Sequence, residues 1–167
     1  MEHPYFTEEH ELIRQTVTRF CKEQIAPHAR EWEDAHAYPK SLFKKAADLG
    51  LFGIRVAPEL GGAGMDWWAS AATYQALRFT DFPSLNIGFM VQADLTIPLI
   101  DRHGTAEQKE EFLKPAITGD RIAALGISEP ECGSDMAAMR TSAREVAGEW
   151  IISGQKLWIT NGAIADF

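Results

Sequence analysis

The sequence is poor in the residues that build metal centres and disulfide frameworks. Its 167 residues include two cysteines, Cys21 and Cys132, too few to staple a small secreted domain and in no zinc-binding spacing. The histidines, His3, His10, His28, His36 and His103, never fall three or four residues apart, so no helix presents a ligand pair and each reads as a surface or packing residue. Basic runs are missing as well. Lys and Arg total 16 against 24 Asp and Glu, for a net charge of −8, a field that repels nucleic acid. No stretch approaches the roughly 20 apolar residues of a membrane span, and the opening Met-Glu-His-Pro-Tyr-Phe-Thr-Glu-Glu has neither the cationic nor the apolar region of a secretion signal. These absences read as a soluble, intracellular chain, cytoplasmic or, for a eukaryotic source, in the mitochondrial matrix. Repeats and low-complexity segments are also lacking.

What is present suits one ordinary domain and part of a second: 46% of residues are hydrophobic and 24% charged, enough apolar material to rule out disorder. Up to about Gly119 the spacing is helical. Thr7 can cap a helix with Glu8 and Glu9 in its first turn, and Leu12, Ile13, Val17, Phe20, Cys21 and Ile25 recur along one face. Pro27 interrupts it. Ser41 to Leu49 predicts a short amphipathic helix with Leu42, Phe43, Ala46 and Leu49 inward, ended by Gly50. Pro58 to Gly64, PELGGAG, must be loop, because three glycines and a proline forfeit helix propensity. Helical stretches follow near Trp67–Thr80 and Leu85–Arg102. Thr105-Ala106-Glu107-Gln108 then has the form of a capping box ahead of a buried row of Phe112, Leu113, Ala116 and Ile117.

After Gly119 the period changes. Ile122–Ser128 is a short apolar run without helical polarity. Arg140–Gln155 divides into two strand-length pieces around Ala147-Gly148-Glu149, which predicts a hairpin. Lys156–Thr160, rich in large and branched residues, predicts a third strand stopped by Asn161-Gly162. The fold class is therefore α+β: an all-α helical bundle over residues 1–120, then an incomplete antiparallel β-barrel or sandwich over 121–167.

The chemistry lies in the β part. Gly126–Asp135 reads GISEPECGSD, a run that ends in a hydroxyl, passes Glu-Pro and turns through Gly-Ser-Asp, with small residues that let a ligand approach the backbone. By itself it is a polar turn. Together with KLWITNG at Lys156–Gly162, PELGGAGM at Pro58–Met65, HGTAEQKEEFL at His103–Leu113 and GDRIAALGISEP at Gly119–Pro130, it resembles the acyl-CoA dehydrogenase family, from about Tyr5 to the last residue. Several ordered motifs across the whole chain are far more specific than any one alone.

That resemblance implies an FAD-dependent α,β-dehydrogenation of an acyl-CoA thioester, with electrons passed to electron-transfer flavoprotein. By position, Leu125, Gly126, Ile127, Ser128, Gly133 and Ser134 would line the FAD, Ser134 also meeting the pantetheine arm of the substrate. Trp158 would pack on the flavin face away from substrate, beside Ile159, and Thr160 would hydrogen-bond near N5. Met90, Leu95 and Ile97 are the candidates for contact with the acyl chain. Glu131 and Cys132 depart from the family's usual small residues; the carboxylate is expected to face solvent and the thiol to be a compact packing group. The family's base is a glutamate of a C-terminal helical domain, so no residue of this sequence is assigned as catalytic, and Glu129 reads as part of the turn. The family further implies a dimer or tetramer. Acyl-CoA oxidases and nitroalkane oxidases share the scaffold, and a non-enzymatic interaction module is the reading from a different class.

Overall fold

The computed structural model describes residues 4–167; His3, read above as a surface or packing residue, lies outside them. A helical layer comes first: α1 (Glu8–Phe20), α2 (Ala29–Asp34), α3 (Ser41–Asp48), α4 (Trp67–Leu77), α5 (Pro83–Met90), α6 (Ile97–His103), α7 (Ala106–Gln108) and α8 (Lys114–Ile117). The β part contributes one antiparallel hairpin, β1 (Ser142–Val146) with β2 (Glu149–Ser153). This is the α+β arrangement expected, a helical region followed by an incomplete antiparallel β domain.

Helix starts follow the capping chemistry. Thr7 Oγ1 accepts from the His10 amide while His10 Nδ1 accepts from the Thr7 amide, a capping box in which imidazole replaces the usual Glu or Gln. Because Nδ1 accepts, the ring proton sits on Nε2, which donates to Asp66 Oδ1 at 3.0 Å. Asp66 in turn caps α4 by accepting from the Ala69 amide. One buried histidine thus ties the N-termini of α1 and α4, the two most intimately packed helices.

Prolines shape the helices without stopping them. The residues before Pro27, Pro98 and Pro115 (Ala26, Ile97 and Lys114) each donate to the carbonyl five residues back, of Cys21, Gln92 and Lys109. A proline offers no N–H to the preceding turn, and the chain answers by widening into π-helical geometry, the expected local device at such a defect. Leu85–Arg102 consequently forms α5 and α6 joined by the wide turn Val91–Thr96.

The core is aromatic. Phe43, Phe52 and Phe89 meet pairwise at ring-centroid separations of 5.1–5.6 Å, and Tyr38 meets Phe82 at 5.7 Å. Leu42, Ala46, Leu85, Ile97, Leu113 and Ala116 fill the remaining space. Two expected core residues lie outside. Leu12 is exposed because the buried row of α1 runs through His10, Val17 and Phe20, one residue out of step with it. Leu49 is exposed because it has already left helical geometry ahead of Gly50, whose φ is +79°.

The β part departs further from expectation. Ile122–Ser128 is extended but joins no ladder, its backbone engaged by the Gln92 side chain, the Asp166 carboxylate and the Phe167 carbonyl. Lys156–Thr160 is not a strand: Trp158 at φ +57° and Asn161 at φ +66° break the pleat. The hairpin turns through Ala147 and Gly148 alone, at φ +54° and +84°, a type I′ geometry, so Glu149 pairs with Val146 instead of lying in the loop. Every residue of both strands is exposed.

Candidate functional site

Two segments distant in sequence lie side by side. The Leu157 amide donates to the Ser128 carbonyl at 2.9 Å and Lys156 Nζ to the Ile127 carbonyl at 3.1 Å. At the far end Asp166 and Ile122 exchange hydrogen bonds, Asp166 N–H to the Ile122 carbonyl and Ile122 N–H to the Asp166 carboxylate. The stretches therefore run antiparallel, in contact, and close enough that a Cβ on Gly126 would stand 3.3 Å from Lys156 Cγ.

Glu129 organises the turn. Its buried carboxylate accepts from the Arg140 amide at 2.6 Å, the Thr141 amide at 3.0 Å and Lys156 Nζ at 2.8 Å. The Lys156 ammonium, then the Thr141 and Arg140 donors, hold its carboxyl down at about 2. A carboxylate whose oxygens are spent on three donors is unsuited to collecting a proton from substrate, and Glu129 is assigned to structure. The Glu129 and Cys132 backbones exchange hydrogen bonds across Pro130 and Glu131. That puts Glu131 at the exposed corner, while the buried Cys132 thiol donates to the Asp135 carbonyl at 3.1 Å.

The candidate residues divide by exposure. Leu125, Ile127, Ser128, Ile159 and Thr160 are half-buried along the junction, Gly126 is open on its surface, and Gly133 and Ser134 are exposed on the turn beyond. Trp158 is 89% exposed. An unpacked indole held in a left-handed conformation that bulky residues avoid is a costly arrangement for a fold to keep, and such outliers motivate a functional hypothesis. Flat indole, small residues and hydroxyls side by side suit a planar aromatic group with hydrogen-bonding edges. By this test the residues fit a flavin.

The acyl-chain candidates separate. Met90 and Leu95 are exposed, but Ile97 is sealed in the core at 0% exposure and offers no surface to a ligand. Its helix turns that position inward just after the Val91–Thr96 widening. A small cleft of about 90 Å³ lies within the helical layer, walled by Phe52, Tyr74, Leu77 and Phe89 and by an ion pair of Arg55 with Asp94. It shares no lining residue with 125–134 or 157–160.

Two buried amides were missed by sequence reasoning. Gln92, fully buried, donates from Nε2 to the carbonyls of Ala116 and Arg121 and accepts at Oε1 from the Ala123 amide. Asn161, read as a turn residue only, donates from Nδ2 to the carbonyls of Gly88 and Ala123, at 3.0 and 3.1 Å. Its Oδ1 accepts from the Tyr38 hydroxyl at 3.3 Å; burial pushes that phenol up, which keeps it a donor. The available signal for Gln92 was a polar amide between Val91 and Ala93 on a buried helical face.

A helical layer is joined by buried amides to a β part whose junction bears an open indole and hydroxyls, a two-part scaffold that would suit a flavoprotein. Family comparison agrees. The acyl-CoA dehydrogenase N-terminal domain matches residues 7–120, and the acyl-CoA dehydrogenase middle domain matches residues 124–167. The long-chain specific acyl-CoA dehydrogenase of Mus musculus mitochondria is 35% identical over 161 residues, 96% of this chain and 37% of that protein. A crystal structure of glutaryl-CoA dehydrogenase from Mycobacterium smegmatis superposes with a TM-score of 0.91 at 34% identity, over 97% of this chain and 42% of that one. A second structure of that enzyme, in complex with FADH2, gives 0.91 at 33% identity over 96% and 41%. The chain belongs to the acyl-CoA dehydrogenase family. It spans about two fifths of the length of these relatives. Among the described residues no helix is long and apolar enough to cross a membrane.

Proposed function

We propose that this chain supplies the flavin-facing wall of an FAD-dependent enzyme that introduces an α,β double bond into an acyl-CoA thioester. The observation that carries the reading is the juxtaposition of Gly126–Ser128 with Leu157–Thr160, presenting Trp158 to solvent beside hydroxyl donors. Bound FAD would supply the acceptor for hydride from the β-carbon. The residues here bind and orient: Trp158 offers an apolar face to the ring system, Ser128 and Thr160 offer hydrogen bonds to its edge, Gly133 and Ser134 border the cofactor, and Ser134 also meets the thioester's arm. Met90 and Leu95 border the acyl chain. The α-proton would go to the glutamate that the family resemblance places in a C-terminal helical domain; Glu129, committed to the turn, is not assigned that role. Electrons leave to electron-transfer flavoprotein, and the working assembly is a dimer or tetramer, in the cytoplasm or the mitochondrial matrix.

The test is an acyl-CoA assay on the purified 167-residue chain with excess FAD, read by dye reduction and by hydrogen peroxide. Weak flavin binding without dehydrogenation is expected. Robust dye reduction would overturn the placement of the base outside these residues, and peroxide formation would move the reading to an oxidase.

A further inference from the structure

Asn161 joins three elements that sequence separation keeps far apart. Its amide reaches the Gly88 carbonyl on α5, the Ala123 carbonyl on the extended stretch and the Tyr38 hydroxyl between α2 and α3. The residue is 8% exposed and sits at φ +66°, immediately after Thr160. The fit leaves no slack: a Cβ added at Gly88 would stand 2.8 Å from both Asn161 Oδ1 and the Tyr38 hydroxyl. Inserting a shorter or charged side chain here would leave two carbonyls without donors in a buried space. The Trp158–Thr160 segment belongs to no strand and its indole is open. On one side Leu157 and Lys156 hold it to residues 127–129; on the other, the side chain that ties it to the helical layer is the one at 161.

We propose that Asn161, held by Tyr38 and accommodated by the absence of a side chain at Gly88, is a positioning residue that sets the angle of the Trp158–Thr160 segment against the helical layer, and with it the seat of the flavin. The proposal rests on the reading that this segment faces FAD. Three substitutions reach the joint from three elements. Tyr38→Phe keeps the ring against Phe82 and removes one hydrogen bond. Asn161→Gly keeps a residue at ease in the left-handed turn and removes all three. Gly88→Ala drives a methyl group into the joint.

Hydrogen exchange of the 167-residue chain without flavin reads the joint directly. Amides of 156–163 should exchange about fivefold faster in Tyr38→Phe and on the order of thirtyfold faster in Asn161→Gly, from the lost hydrogen bonds, with α1 and α4 unchanged. Titration with FAD up to millimolar concentration then reads the consequence. The dissociation constant should rise about tenfold in Asn161→Gly, and emission of the bound flavin should recover as the indole leaves stacking distance, a change that general loss of stability would not produce. Gly88→Ala should move both readouts in the same direction. Unchanged exchange in all three variants overturns the proposal. So does faster exchange with unchanged affinity and emission, which leaves the flavin reading standing. Failure of the wild-type chain to bind any FAD counts against the proposed function, and the exchange data then decide by themselves whether the joint holds the segment.

Discussion

Replacing Trp158 by glycine should leave the fold nearly as stable as before while weakening flavin binding. Three contributions decide the first half. The left-handed backbone at φ +57° costs a non-glycine residue about 1–2 kcal/mol, which glycine recovers. Glycine's extra freedom in the unfolded chain gives back about 0.5–1 kcal/mol. The indole is 89% exposed, so only about a tenth of its roughly 250 Å² is withdrawn from water, worth about 0.6 kcal/mol. The sum is close to zero, within about 1 kcal/mol, and the melting temperature should move by no more than about 4 °C. A tryptophan packed in a core would instead cost about 3–5 kcal/mol. Loss of an aromatic stacking surface should weaken FAD by about tenfold or more. Thermal unfolding followed by circular dichroism, with a flavin titration on the same samples, measures both. A fall in melting temperature beyond about 10 °C, or undiminished affinity for FAD, would refute the reasoning.

Further outcomes follow from the same structure. Glu129→Gln should destabilise the chain at pH 7; because the native carboxyl is held at about 2 against an ordinary 4.5, the wild-type advantage is present above pH 4.5 and should vanish as pH falls towards 2, as read by urea midpoints across that range. Ala147→Asn, at a turn position with φ +54°, should relieve about 1 kcal/mol and slow amide exchange in β1 and β2 by about fivefold; unchanged exchange would mean that the turn is not strained. Burial pushes the Cys21 thiol up to about 12, so a disulfide reagent at pH 8 should leave Cys21 unmodified in the folded chain and label it once guanidinium is added.

The helical half was legible because its signals are local. Thr7 and Thr105 cap their helices as expected, and the apolar rows through Val17 and Phe20 and through Leu113 and Ala116 are buried. Leu12 shows the limit: periodicity identifies an apolar face but leaves its centre uncertain by one residue, and His10 occupies the buried position by making its own hydrogen bonds. Pro27 was legible as an interruption, but Pro98 and Pro115 fell inside stretches read as continuous helix, and the π-helical widening before each of the three depends on carbonyls finding donors one residue further along. In the β part, composition suggested strands where the chain is merely extended, because Lys156–Thr160 has the residue types of a strand but a left-handed Trp158 in its middle. Motif resemblance brought 125–134 and 158–160 to one ligand, but the hydrogen bonds that join 122–128 to 157–166 were not legible, since no local rule links segments about 30 residues apart. Asn161 and Gln92 could not be read as buried joints, because a single amide in a sequence carries no record of the carbonyls it will meet.

The proposed flavin seat is one surface made from two segments. Nuclear magnetic resonance of isotope-labelled chain titrated with millimolar FAD examines that surface directly. Amide shifts should move together in 125–134 and 157–160, with the exposed hairpin 142–153 and the Arg55–Asp94 cleft undisturbed. Shifts confined to one segment, or concentrated at that cleft, would contradict it.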